Sequence, residues 1–149
     1  MSAINLKKIS VSDRLFPQVW ELREAVLRQP LGLSLKDEDL SGEQNEQIIV
    51  ALSDGKVVGC VMMKDIGKNI IKLRQMAVDP TFQAKGIGAA LLQEAEITAV
   101  EQGYETIQLH ARISAVDFYK KCGYTVVGGE FIEVGIPHLF MEKKLNEVL

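Results

Sequence analysis

The segment Gln83-Ala84-Lys85-Gly86-Ile87-Gly88-Ala89 most constrains what this chain can fold into. An apolar run from Ile70 to Val78 precedes it and stops at Asp79-Pro80. A stretch from about Gly86 to Gln102 follows, with Ile87, Leu91, Leu92, Ala95 and Ala99 at the spacing of a helix face. A strand must therefore pass into a helix through a turn with two glycines two residues apart. Glycine lets a backbone approach a ligand closely. The free amides and dipole of the helix's first turn suit a pyrophosphate. No acidic residue interrupts the segment, and Lys85 adds a positive charge. The phosphate loop GxxxxGK[ST] is absent. A dinucleotide fingerprint needs a small third residue where this chain has Leu91, too large for close helix–strand packing. The ligand-free alternative is a glycine-rich strand-to-helix turn.

The remaining chain sets the context. A length of 149 residues is one ordinary domain, residues 1–149. The net charge of -3 leaves no basic stripe for a nucleic-acid backbone, although a local basic pocket for a small phosphorylated ligand stays open. Cys60 and Cys122 form no CxxC pair, so no metal is implied, and both read as small buried hydrophobes. Met1 to Ser12 carries no apolar run of the kind a secretory signal needs, and no stretch approaches a membrane span, so the expected location is cytoplasmic with no membrane partner.

The order of elements reads strand, helices, three strands, helix, strand, helix, two strands. A first helix is expected from Ser12 or Asp13 to about Gln29, with Pro17 tolerated only near its first turn. Arg23 falls on the apolar stripe of that helix. The acidic stretch Asp37 to Glu46 reads as a short helix or a mobile loop. Val57 to Met63 is apolar on both faces, as a central strand requires. Within Ile70 to Val78, Ile71 and Leu73 set one alternation phase and Met76 and Val78 the other, which predicts a β-bulge near Arg74 or Gln75. Glu94, Glu96 and Glu101 are placed on the wet face of the long helix.

The loop fits the pattern [RQ]xxGx[GA] of the GNAT superfamily of acyl-CoA N-acyltransferases, and the chain resembles that family. The preceding Met-Ala-Val then Asp-Pro is similar to the family's loop-proximal strand. Ala115-Val116-Asp117-Phe118-Tyr119-Lys120-Lys121-Cys122-Gly123-Tyr124 resembles its second signature, AxxFYxKxGF. The family often has Asn where this chain has Arg112, which puts that one polar contact in doubt. Phe131 to His138, ending Gly-Ile-Pro-His with Met141 beyond, resembles the tails of small uncharacterised members. The resemblance spans about Ile48 to Leu145.

That resemblance implies an α/β GNAT fold. Its mixed central sheet would have about six to seven strands, parted between the fourth and fifth, and be flanked by about four helices. It implies acetyl-CoA as cosubstrate, held between the strands Ile70 to Val78 and Thr106 to Leu109. The implied cofactor contacts are Met76, Ala77, Val78, Gln83, Ala84, Lys85, Gly86, Ile87, Gly88, Ala89, Arg112, Ala115, Phe118 and Lys121. The acceptor would be a small amine, a protein N-terminus or a lysine. Homodimers are common in the family.

Chemistry at the thioester needs an acid and a base. Tyr119 is the candidate acid: the ordinary phenol pKa of about 10 lies above that of a thiol at about 8.5, so protonating the thiolate costs modest work. A core aromatic is the structural alternative. His110 and His138 are the candidate bases, and a water chain would also serve. Arg23 and Arg74 are candidate substrate-facing cations that would favour a carboxylate-bearing acceptor; a structural ion pair is the other reading of Arg23. A second function class, an acyl-CoA-binding sensor without turnover, shares the binding residues and differs only in catalysis.

Overall fold

The computed structural model describes residues 3–83 and 85–145. They divide into two compact units: Met1–Lys64 with Gln75–Ala95, and Asp65–Arg74 with Glu96–Leu149.

In the first unit, β1 (Ile4–Ile9), β2 (Gln47–Ser53) and β3 (Lys56–Asp65) form an antiparallel meander, followed in hydrogen-bonded order by the later part of β4 (Ile70–Val78). Asp54 and Gly55, both at positive φ, make the tight β2–β3 turn that an Asp-Gly pair favours. β3 is buried without interruption from Val57 to Met63, as expected for a strand covered on both faces. Helix α1 (Phe16–Arg23) covers the meander through Leu15, Val19 and Leu22. These pack with Ile9, Ile48, Val50, Cys60, Met62 and Ala77 in one apolar cluster. Helix α2 is Ile87–Glu101.

The first helix starts later and ends sooner than its apolar spacing suggests. A start at Asp13 would put Pro17 where its missing N–H breaks a helical hydrogen bond; a start at Phe16 places Pro17 in the first turn, where none is needed. After Arg23 the chain widens into a π turn, Glu24–Arg28, then tightens into a 3-10 turn that stops at left-handed Gly32. The stretch read as a short helix or mobile loop holds the 3-10 turns Leu35–Asp37 and Ser41–Asn45, tied down by charged side chains. Glu24 accepts from the Ser34 hydroxyl (2.6 Å) and the Leu35 amide (2.9 Å), and Arg28 pairs with Glu38.

The second unit holds the start of β4, then β5 (Thr106–Arg112), β8 (Ile136–Lys144) and β6 (Thr125–Val126), with β7 (Phe131–Glu133) also on β8. β4 and β5 run parallel, pairing Ile70–Leu73 with Thr106–Leu109; the other pairs are antiparallel, so the sheet is mixed. β4 continues to Val78 and β5 to Arg112 beyond that parallel register, which is the parting expected of the fourth and fifth strands. Helix α3 (Val116–Lys121) follows a 3-10 turn at Ile113–Ala115.

The expected mixed α/β architecture holds, with eight strands and three α-helices among the described residues. The additional strand is β7, formed because Val134 and Gly135, both at positive φ, close a hairpin onto β8. Glu96 is not on a wet face. It is buried, accepts from the Tyr124 hydroxyl (2.9 Å) and pairs with Lys143 (3.1 Å). Among the described residues no helix is long and apolar enough to cross a membrane.

Candidate active site

The glycine loop is prepared by the end of β4. The Asp79 amide donates to the Val58 carbonyl (2.8 Å), and the Asp79 carboxylate caps the 3-10 turn Pro80–Phe82 through the Thr81 amide and hydroxyl. Those bonds, the amide's first, hold the Asp79 carboxyl below its ordinary pKa. Gln83 donates its side-chain amide back to the Val78 carbonyl (3.3 Å). Ala84 lies outside the described residues. Gly86 sits at φ +76°, a left-handed conformation that glycine adopts without strain, and a Cβ there would meet nothing within 4 Å. Its carbonyl accepts from the Ala90 amide (3.0 Å), so the amides of Ile87, Gly88 and Ala89 belong to the first turn of α2, which has no partners within the helix. Gln83, Lys85, Gly86 and Ala89 are exposed, Gly88 is half-buried, and Ile87 is buried as the anchor. Lys85 lies over the Phe82 ring, 5.8 Å from its centroid. An open turn whose amides have no partner within the helix, with no carboxylate and a nearby ammonium, fits a pyrophosphate.

Gly59 of β3, which the sequence did not single out, sets how closely α2 lies on the strand. A Cβ at Gly59 would come 2.9 Å from Ile87 Cγ2 and 3.1 Å from Leu91 Cδ1. The seat of the loop thus depends on a strand glycine with no place in the motif.

The irregularity expected near Arg74 or Gln75 is at Gln75, whose φ is +57°. The phase shift used to locate it is not what burial reports. Ala77 is buried, whereas Met76 and Val78 are half-buried. Apolar identity misled because both alternation phases carry apolar residues here, while the left-handed residue alone redirects the backbone. Cys60 donates its thiol to the Gln75 carbonyl (3.3 Å); burial pushes that thiol up to about 12, so it stays protonated at neutral pH.

Arg23 is fully buried, and its guanidinium grips Glu43 with both terminal nitrogens (2.9 and 2.7 Å). Its Nε donates to the Gln75 side chain (3.3 Å). Arg23 is therefore an internal strut to left-handed Gln75, a correction to its reading as a substrate-facing cation: all three of its nitrogens donate to protein side chains and solvent does not reach it. Glu43 and Gln75 were not foreseen as its partners. Arg74, in the second unit, is half-buried.

The second unit carries the other candidates. On α3, Tyr119 is buried and packs edge-on against Phe118 (5.1 Å) and Tyr124 (5.9 Å). Burial, with the Cys122 thiol adding to it, pushes the Tyr119 phenol up to about 12. Ala115, Phe118 and Arg112 are half-buried, and Lys121 is exposed.

His110 on β5 and His138 on β8 converge on one carboxylate, Glu133 of β7. His110 Nδ1 lies 2.9 Å from Glu133 Oε1, and His138 Nε2 lies 3.7 Å from Glu133 Oε2. His138 Nδ1 also faces the Ile136 carbonyl at 2.9 Å. Phe131 stacks on His138 and meets His110 edge-on. Partial burial works against ionisation of Glu133, but the hydrogen bond from His110 and the charges of His110, His138 and Lys72 outweigh it and hold the carboxyl below its ordinary pKa. Glu133 stands inside the tail segment that drew attention in the sequence, yet only the β7–β8 hairpin, aligning Phe131 with His138 and Glu133 with Ile136, reveals its partners.

The family model described as "Acetyltransferase (GNAT) domain" matches residues 30–145. A Bacillus subtilis protein provisionally named an acetyltransferase is 30% identical over 98% of this chain and its own full length. A crystal structure from Lactobacillus plantarum, of a protein provisionally named an N-acetyltransferase, superposes with TM-score 0.86 at 24% identity, covering 96% of this chain and 99% of that one. An aminoglycoside 6'-N-acetyltransferase crystallised with coenzyme A has the same fold, with TM-score 0.79 at 16% identity over 95% of this chain and 97% of its own.

Proposed function

This chain belongs to the GNAT acetyltransferase family, and we propose that it transfers an acetyl group from acetyl-CoA to a primary amine by direct attack in a ternary complex. The observation that carries this reading is the loop opening α2, with left-handed Gly86, exposed Lys85 and first-turn amides that have no partner within the helix. The Gln83–Ala89 loop, Ala84 included, takes the pyrophosphate. Arg112, Ala115, Phe118 and Lys121 are further contacts to the same cosubstrate. The coenzyme A found with an aminoglycoside acetyltransferase of this fold supports the choice of ligand. The family match from residue 30 to 145 includes residues of both units, which supports reading them as one catalytic domain.

In the reaction, the neutral amine nitrogen bonds to the thioester carbon, the carbon–sulfur bond breaks, the amine loses one proton and the thiolate gains one. Amides of Met76 to Val78, redirected by Gln75, stabilise the oxyanion. Tyr119, its phenol held protonated at neutral pH, supplies the thiol proton. A histidine, His110 or His138, receives the amine proton. Arg74 is the remaining candidate for a carboxylate on the acceptor.

Thermal unfolding with and without acetyl-CoA tests the binding step. At about 100 times its dissociation constant the ligand adds about 2.7 kcal/mol of stability. Gly86→Trp should remove most of that shift. No shift at millimolar acetyl-CoA would defeat the reading; a shift without thiol release across an amine screen would leave an acyl-CoA sensor.

A further inference from the structure

We infer that His110 is the general base and that Glu133 is its positioning residue, holding the imidazole so that Nε2 carries the free lone pair, while His138 shares the same carboxylate from the other side. This rests on the acetyltransferase reading and decides between the two histidines it leaves open.

The tautomers follow from the partners. An ionised carboxylate only accepts, so the 2.9 Å contact from His110 Nδ1 to Glu133 Oε1 places the proton on Nδ1 and the lone pair on Nε2. A carbonyl also only accepts, so His138 holds its proton on Nδ1, toward Ile136, and presents Nε2 to Glu133 at 3.7 Å. Its Nε2 lies beyond hydrogen-bond distance of Glu133, and the ring is buried, its side chain 4% exposed, which leaves it no path to a reactant. The His110 side chain is 23% exposed, which leaves Nε2 a path to a reactant proton. Phe131 and Phe140 wall the His110 ring, at 4.9 and 5.6 Å between centroids, and limit its rotation. When His110 takes a proton at Nε2, the imidazolium that forms lies against Glu133, the arrangement by which a carboxylate orients and steadies a catalytic histidine. The other titratable groups facing the carboxylate are His138 on β8 and Lys72 on β4.

The test is Glu133→Gln, read two ways on the full chain. A glutamine amide can donate to His110 Nδ1 and favour the wrong tautomer. By imidazole 15N NMR, His110 in the unaltered protein should be the Nδ1–H tautomer; in Glu133→Gln that tautomer should be depleted. In thiol-release kinetics, Glu133→Gln should lower kcat at least about tenfold with little change in KM for acetyl-CoA. Glu133→Asp should recover part of that loss. An unchanged His110 tautomer in Glu133→Gln would overturn the inference, whether or not an acceptor is known. So would retention of activity by His110→Gln alongside its loss in His138→Gln. Acetyl-CoA binding without turnover on any amine would defeat the catalytic reading instead, and the NMR result would still decide the role of Glu133 as the group that sets the His110 tautomer.

Discussion

Arg23→Met should be among the most damaging single substitutions in the first unit, although Arg23 touches no reacting group. The guanidinium is fully buried and makes a two-point contact with Glu43 at 2.9 and 2.7 Å, while Glu43 is itself buried. Charge-assisted bidentate pairs of this kind are strong, but their larger consequence appears when one partner is removed. A carboxylate left in a site shaped for a guanidinium is expected to cost about 3–5 kcal/mol. For a chain of this length each kcal/mol lowers Tm by about 2–4 °C, so the variant should melt roughly 6–20 °C lower. Arg23→Met combined with Glu43→Leu should recover most of the loss, because no buried charge is then stranded. Thermal unfolding followed by circular dichroism, with denaturant titration as a check that the m-value is unchanged, measures both variants. Added salt should leave the difference nearly intact, since a buried pair is poorly screened. A loss below about 1 kcal/mol for Arg23→Met, or a double variant as unstable as the single one, would refute the reasoning.

Gly59→Ala should lower stability by about 1–3 kcal/mol and weaken acetyl-CoA binding, because its Cβ would meet Ile87 Cγ2 at 2.9 Å and displace the first residue of α2; calorimetric titration would expose an error if affinity were unchanged. Tyr119→Phe should keep acetyl-CoA binding and lower turnover at least about tenfold, and with the phenol pushed up to about 12 the unaltered enzyme should show no alkaline loss from this group below about pH 10. Equal turnover in the phenylalanine variant removes Tyr119 from the mechanism. The hydrogen bonds from Ser34 and Leu35 depress the Glu24 carboxyl, and the bond from Arg28 depresses that of Glu38. A depressed carboxylate stabilises the fold fully above its ordinary value of about 4.3 and ceases to as the pH falls through its folded value. Protection of the Leu35 amide from hydrogen exchange should therefore decline on acidification below about pH 4, and Glu24→Ala should abolish it at neutral pH; equal protection at pH 3 and 7 would contradict this.

What the sequence determined by itself is local. Gly86 at positive φ, the buried stripe Ile87, Leu91, Leu92, Ala95 and Ala99, and the Asp54-Gly55 turn each depend on neighbours within a few residues, so their physics is written in the chain order. The resemblance to the GNAT family rests on the same local patterns, and the family match confirms it. Tertiary structure alone decided which charges meet. With 20 acidic residues in the chain, nothing local pairs Arg23 with Glu43, buries Glu96 against Tyr124 and Lys143, or sets Glu133 beside His110. Those choices follow from strand register and helix packing. An ion pair forms where two distant segments are brought together and kept from water, a circumstance that residue identity does not encode.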